Sequence, residues 1–400
     1  MELKALKERY IGEITFWKAV FFVVVAVGLY ATVFRFTQGL GASTNLSDQT
    51  PWGLWIGFDV LCGVGLASGG FTLAAVVYIF NIKHFKPIIR PAILTAFLGY
   101  LLVIVGLLFD LGKPWNIWHP LVMWNAHSVM FEVAWCVMLY TTVLALEFSP
   151  VVFEKFRMEK PLKIIKRITV PLVILGVILS TLHQSSLGSL FLIVPEKLHP
   201  LWYSPLLPVY FFISAIMVGF AMVVFESFLS SRAFNKQLEK PLLMELARAA
   251  VFVMVLYLAL RGIDFARRDA WSYLFQPGFE TLMFWVEVGA GVILPMALLA
   301  IPKIRRNDTA LFWSVVLIVT GFVMNRINVS ITGLQGASEG TYFPSFLEIS
   351  VTLMLVALGF AAFRYIAKNF PVFETTVPKT GALRRKVKVS VKPKEAFIES

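Results

Sequence analysis

Seven ionisable side chains in this 400-residue chain stand inside long apolar runs: Asp59, Glu132, His183, Arg261, Asp264, Glu287 and Arg326. Glu226 and Arg248 lie apart from them. Charge in an apolar stretch is costly, so such residues are the first candidates for handling ions or protons. If the runs are helices, a rise of 1.5 Å per residue puts all seven at about 5–16 Å from one common end. A polar layer at that depth suits a lipid-soluble substrate with a short proton path to one side. The competing account is internal ion pairing that fixes helix register. Seven residues on six helices at one level weigh toward function.

Glu132 has no basic residue near it in its own run. Desolvation favours the neutral form of a carboxyl, which suits a proton carrier. Arg261 and Asp264 are spaced i,i+3 and are expected to pair on one helical face. Asp264 and Glu287 are the further proton-carrying candidates, with Arg261 and Arg326 tuning them. In LHQSSLGS (182–189), His183, Ser186 and Ser189 form a polar stripe with Gln184 beside it, able to hydrogen-bond a carbonyl oxygen. Serines at such places equally bond back to their own helix. Trp52, Trp55, Trp115, Trp118 and Trp124 make either an interfacial aromatic belt or a wall for an aromatic ring system.

Other chemistries lack ligands. The two cysteines, Cys62 and Cys136, sit in apolar runs and supply no thiolate metal site or iron–sulfur cluster. Of five histidines only His183 is well inside a run, with His127 at a helix start, so a bis-histidine haem is not expected. Gly63, Gly65, Gly69 and Gly70 follow no strand, so they read as close helix packing through Gly65-xxx-Gly69, not as a dinucleotide loop.

The elements that must carry these residues are membrane helices. Apolar residues make up 58% of the chain and charged ones 15%, too few polar groups to cover a water-soluble globule. Apolar runs of spanning length occur at 17–35, 52–80, 91–109, 128–148, 168–194, 205–229, 249–265, 281–301, 310–332 and 345–366. The expected fold is an all-α polytopic membrane protein of about ten helices. Its membrane domain is 16–368, between a short N-terminal segment, 1–15, and a basic tail, 369–400. In a ten-span reading about 25 cations fall on one side and about four (Lys113, Lys197, Arg267, Arg268) on the other. That asymmetry places both termini in the cytoplasm. It also explains the net charge of +12 without nucleic acid, leaving the basic loops and tail for anionic lipid.

Short motifs recur at a spacing of roughly 145–155 residues: FDLGKPW (109–115) with DFARRDAW (264–271), and VMFEVAW (129–135) with LMFWVEV (282–288). Two parallel four-helix bundles are therefore expected, spans two to five (52–194) and six to nine (205–332), with flanking helices.

PWGLWIGFD (51–59), SVMFEVAW (128–135), LALEFSP (144–150), LHQSSLGS and MFWVEV (283–288) together resemble the NrfD/polysulfide-reductase family of membrane subunits, most of all its hydrogenase-linked branch. The resemblance covers spans two to ten. It implies a haem-free ten-helix anchor in the bacterial inner membrane that exchanges electrons with menaquinone near the periplasmic face. Electrons would pass through a periplasmic ferredoxin-like iron–sulfur subunit. The large and small subunits of a [NiFe] hydrogenase would feed that subunit, or a molybdopterin enzyme or multihaem cytochrome in their place. On the matching motifs Asp59 and His183, with Trp55 and Gln184 beside them, would line the quinone head group, and Glu132 would handle protons. Such a chain is catalytic only within a complex. A secondary transporter is the rival class, but a parallel repeat and a charge layer at one side speak against it. A passive anchor is the third reading.

Overall fold

The computed structural model describes residues 15–337 and 341–373. Most of the basic tail and most of segment 1–15 lie outside the described residues. Among the described residues ten long helices follow one another: α1 (Phe16–Gln38), α2 (Trp55–Ile79), α3 (Lys83–Asp110), α4 (Val129–Lys155), α5 (Glu159–Ser189), α6 (Leu207–Phe234), α7 (Lys240–Arg267), α8 (Phe279–Ala300), α9 (Asp308–Gln335) and α10 (Phe346–Asn369). All but α5 are long and apolar enough to cross a membrane. The helix α5 begins with Glu159, Lys160, Lys163, Lys166 and Arg167 before its apolar run, and at 31 residues it reaches across beside the others. No strand is formed among the described residues. In lipid every backbone group must find its partner within the segment, which helix alone achieves in a chain patterned this way.

Helices α2 to α5 pack in sequence as one group, and α6 to α9 as a second. The groups join where α6 packs on α2 and α5, and where α9 packs on α2. The flanking pair, α1 and α10, lie against each other, with α10 also on α3. Helices within and between the groups approach closely because small residues face each other. Gly291 of α8 and Gly321 of α9 meet backbone to backbone, Gly69 of α2 lies against Gly219 of α6, and the Phe322 ring fills the hollow at Gly65.

The loops sort to two ends. At one, His84 bonds Glu245 (2.8 Å), Arg90 bonds Glu154 (2.9 Å) and Lys240 bonds Asp308 (2.6 Å), tying the cationic connections together. At the other, the His199 N–H donates to Gly333 O (2.7 Å) and the Asn45 N–H to Glu348 Oε2 (3.1 Å). Helix starts here follow local chemistry. Ser128 caps α4 by accepting from Phe131 N, and Ser345 with Glu348 forms a reciprocal capping box on α10.

Four stretches widen from α into π turns: Trp55–Cys62, Ala75–Ile79, Val286–Ile293 and Asn328–Thr332. Such turns gather at functional sites. Three of these four carry the polar residues Asp59, Glu287, and Asn328 with Ser330.

Candidate functional site

The end of the bundle away from the cationic loops holds three polar clusters. The first centres on Glu287, 1% exposed. Its Oε1 accepts from Asn325 Nδ2 (2.7 Å) and Arg261 Nη1 (3.3 Å), and its Oε2 from Trp202 Nε1 and Asn328 Nδ2 (both 2.8 Å). With four donors on two oxygens, Glu287 has no vacant position for a ligand. Its geometry is that of a fixed counter-charge, where the sequence suggested a carrier. Arg261 also donates to the Tyr257 hydroxyl (2.6 Å) and lies 4.7 Å from the centre of the Phe284 ring.

The expected pairing of Arg261 with Asp264 does not form. Asp264 takes Arg268 one turn on (Nη2 to Oδ2, 2.8 Å) and the Ser204 hydroxyl (2.9 Å), while Arg261 turns to α8. The i,i+4 partner, a residue the sequence assigns to the loop, thus displaces the i,i+3 one. Asp264, Arg268, Arg261, Trp202 and Ser204 line a narrow cavity between α6 and α7. Arg326, 1% exposed, has no carboxylate partner among the described residues. It donates to Asn325 Oδ1 (2.6 Å) and Ser214 Oγ (2.9 Å) and stacks between Phe211 (3.7 Å) and Phe322 (4.3 Å). Three guanidinium groups therefore face two carboxylates.

The second cluster joins α2 to α10. Asp59 Oδ2 accepts from Thr352 (2.7 Å), while its Oδ1 accepts from no other described residue, and the residue keeps 8% of its surface exposed. Gly106 leaves the space that the Asp59 side chain occupies. Trp55 is buried and donates its indole N–H to the Glu348 carbonyl (3.3 Å), so it is a strut within the core. Glu348 also receives the Tyr342 hydroxyl, which in turn accepts from Leu54 N (2.8 Å). Burial, then its bond to Glu348, pushes the Tyr342 phenol well above its ordinary range.

The third cluster lies between α3, α4 and α5. His183, Gln184, Ser180, Tyr100 and Tyr140 are 0–1% exposed. The Tyr100 ring sits 4.7 Å from Tyr140 and 5.7 Å from His183, and Gln184 Nε2 donates to Val64 O (3.2 Å). Neither His183 nitrogen, nor Gln184 Oε1, nor any of the three hydroxyls makes a well-formed hydrogen bond among the described residues. Such orphans are rare in protein interiors. His127 is exposed.

Glu132 departs from expectation. The helix begins at Val129, so Glu132 stands in its first turn, exposed, and joins none of the clusters. Glu226 is buried and takes the Ser230 hydroxyl, whereas Arg248 is exposed. Trp115, Trp118 and Trp124 are 51–70% exposed, as an interfacial belt requires. Sequence reasoning missed Glu348, Tyr342, Thr352, Tyr100 and Tyr140. The polar stretch NRINVSITG (325–333) was the visible signal for Asn325 and Asn328.

Fold and site define a polytopic helical membrane protein with a buried layer of charged and polar groups at one end. The chain belongs to the polysulphide reductase, NrfD family, whose model matches residues 42–336. It is 42% identical to a protein of Nitratidesulfovibrio vulgaris over 88% of this chain and 92% of that one. It is 32% identical to the probable Ni/Fe-hydrogenase 2 b-type cytochrome subunit of Escherichia coli, covering 88% and 91%. The integral membrane subunit of a menaquinone reductase from Nitratidesulfovibrio vulgaris is 28% identical over 92% and 93%.

Proposed function

We propose that this chain is the quinone-reactive membrane subunit of a bacterial respiratory oxidoreductase, exchanging two electrons and two protons with menaquinone at the end away from the cationic loops. The observation that carries this is the Glu287 cluster, with Arg326 buried and without an ion-pair partner. In a low-dielectric setting a fixed guanidinium favours negative charge developing on a quinone as it takes electrons. Asp59 offers a free oxygen that accepts from a quinol hydroxyl. His183 supplies a ring N–H to the second oxygen once the packing of Tyr100 opens. Asp264, with the partly exposed Arg268 beside it, lies on the shortest path for protons to that side, and Glu132 is exposed at the same end.

The family and the names of its members support a quinone-linked respiratory role. The hydrogenase relative favours electrons from a [NiFe] hydrogenase, through a periplasmic iron–sulfur subunit docked at the same end. The cationic loops then face the cytoplasm of the inner membrane, against anionic lipid. The test is Asp59→Asn in the intact complex. Quinone-linked turnover is expected to fall by about a hundredfold while the catalytic partner still reduces or oxidises a soluble dye at its normal rate. Unchanged quinone turnover overturns the assignment.

A further inference from the structure

LALEFSP contributes a carboxyl, Glu147, that the quinone site does not use. At the cationic end a cavity of about 240 Å³ opens among α2, α3, α4 and α5, with room for several waters. Near its mouth Arg90 grips Glu154 through two hydrogen bonds, 2.9 and 3.0 Å, with Lys166 3.7 Å away. Ile93, Glu147 and Val173 line its deep part, and Glu147 lies about 12 Å in from the end of α4. Glu147 makes no hydrogen bond or ion pair with another described residue.

Gly176 keeps the far side of Glu147 open. A methyl group at that position would lie 3.3 Å from Val143 Cγ1, 3.5 Å from Glu147 Oε1 and 3.5 Å from the Tyr140 ring. Carboxyl and ring therefore border the same small site, with the Val143 side chain beside them. One turn further along α5 stands the third cluster, with six polar atoms that lack a well-formed hydrogen bond among the described residues. Leaving them dry is costly, and water is the usual remedy in a polar interior site. Thr169, Val173, Gly176, Ser180 and His183 follow at three- and four-residue steps, so one face of α5 runs from the cavity to the cluster over about 21 Å.

We propose that this face is a proton inlet from the cationic end, with Glu147 as the site where an incoming proton first lodges. A hydronium in the cavity gives its proton to a Glu147 oxygen and remains as water. The carboxyl passes the proton to water held among Tyr140, Ser180 and Tyr100 and returns to carboxylate, with His183 at the inner end of the row. Delivery to a quinone rests on the function proposed above; the wet inlet does not.

Two measurements test it. X-ray radiolytic hydroxyl labelling of the full chain in nanodiscs oxidises side chains that touch water. Tyr140 and Tyr100 are expected to be labelled despite their burial, while Phe191, equally buried but enclosed by apolar side chains, is spared. Labelling of Tyr140 and Tyr100 no faster than of Phe191, after allowing for intrinsic reactivity, overturns the inlet. In sealed vesicles carrying the intact complex, Glu147→Gln is expected to slow proton uptake from the cationic side by about a hundredfold. Glu147→Asp should restore a large part of it, with quinone affinity unchanged in both. Normal uptake in Glu147→Gln likewise overturns the proposal. The labelling stands whether or not the chain binds quinone, so failure of either reading is told apart.

Discussion

Replacing Glu287 by Gln removes one charge and leaves the shape of the side chain intact, so it isolates what the four-donor cage contributes. One end of the new amide still accepts. The other is an NH₂ that must face either Arg261 and Asn325 or Trp202 and Asn328, all donors. Two donors lose their acceptor whichever way the amide turns. Lost side-chain hydrogen bonds of this kind inside a membrane average only about 0.6 kcal/mol each. Arg261 suffers more, because it is 7% exposed and now lacks its carboxylate. Breaking a buried pair from one side costs about 3–5 kcal/mol, so the stranded guanidinium decides the outcome. For a chain of this size that corresponds to a fall in Tm of roughly 4–6 °C, read by thermal unfolding of the full chain in mild detergent. Arg261→Gln alone should cost a similar amount. The double variant should be less destabilised than the sum of the two by about 0.5–3 kcal/mol, because neither charge is then left unpaired. A Tm for Glu287→Gln within about 1 °C of the parent chain, or strictly additive single effects, refutes the cage as the lock of the second helix group.

Gly291→Ala places a methyl against the Gly321 backbone, where no flexible side chain can give way. Overpacking costs about 1–3 kcal/mol even where neighbours yield, so this variant should lower Tm and the yield of folded chain on size exclusion. Tyr342→Phe takes the acceptor from Leu54 N and the hydroxyl donor from Glu348. A loss of about 1–3 kcal/mol is expected, measured as a drop in the same unfolding transition. His199 is half-buried, and burial, opposed by Glu280, lowers its pKa below the ordinary histidine value. Its stabilising share is complete above the unfolded-chain pKa of about 6.5. That share shrinks as pH falls from there toward the folded-state value, because the unfolded chain binds the proton first. The unfolding midpoint of the parent chain should therefore fall more between pH 7 and pH 5 than that of His199→Gln; equal slopes contradict this.

The polar layer was legible in the sequence because charge inside an apolar run has few structural explanations. Arg261, Asp264, Glu287 and Arg326 are all buried. Their partners were not legible. Whether Arg261 turns to Asp264 or to Glu287 depends on how α7 and α8 pack, and Arg268 reads as a loop cation until the helix is seen to continue up to it. Glu132 misled although its run, 128–148, begins where its helix does: only a few residues past Ser128, the carboxyl stands in the exposed first turn and not inside the bundle. Glu348 failed the other way, since a capping glutamate normally faces water. The π turns leave no mark in stretches apolar on every side. Glu147 was visible only as a letter in a family motif, and its setting needed the cavity and the absent side chain of Gly176.

Quinone binding at the end away from the cationic loops, against Asp59, is the point on which the proposed function turns. Cross-linking an azido-menaquinone analogue to the full chain in nanodiscs, followed by peptide mass spectrometry, tests it most directly. Label competed away by unmodified menaquinone is expected on the peptides around Asp59 and Thr352, and it should be weakened in Asp59→Asn. Competable label only at the cationic end, or none at saturating analogue, contradicts quinone binding at Asp59.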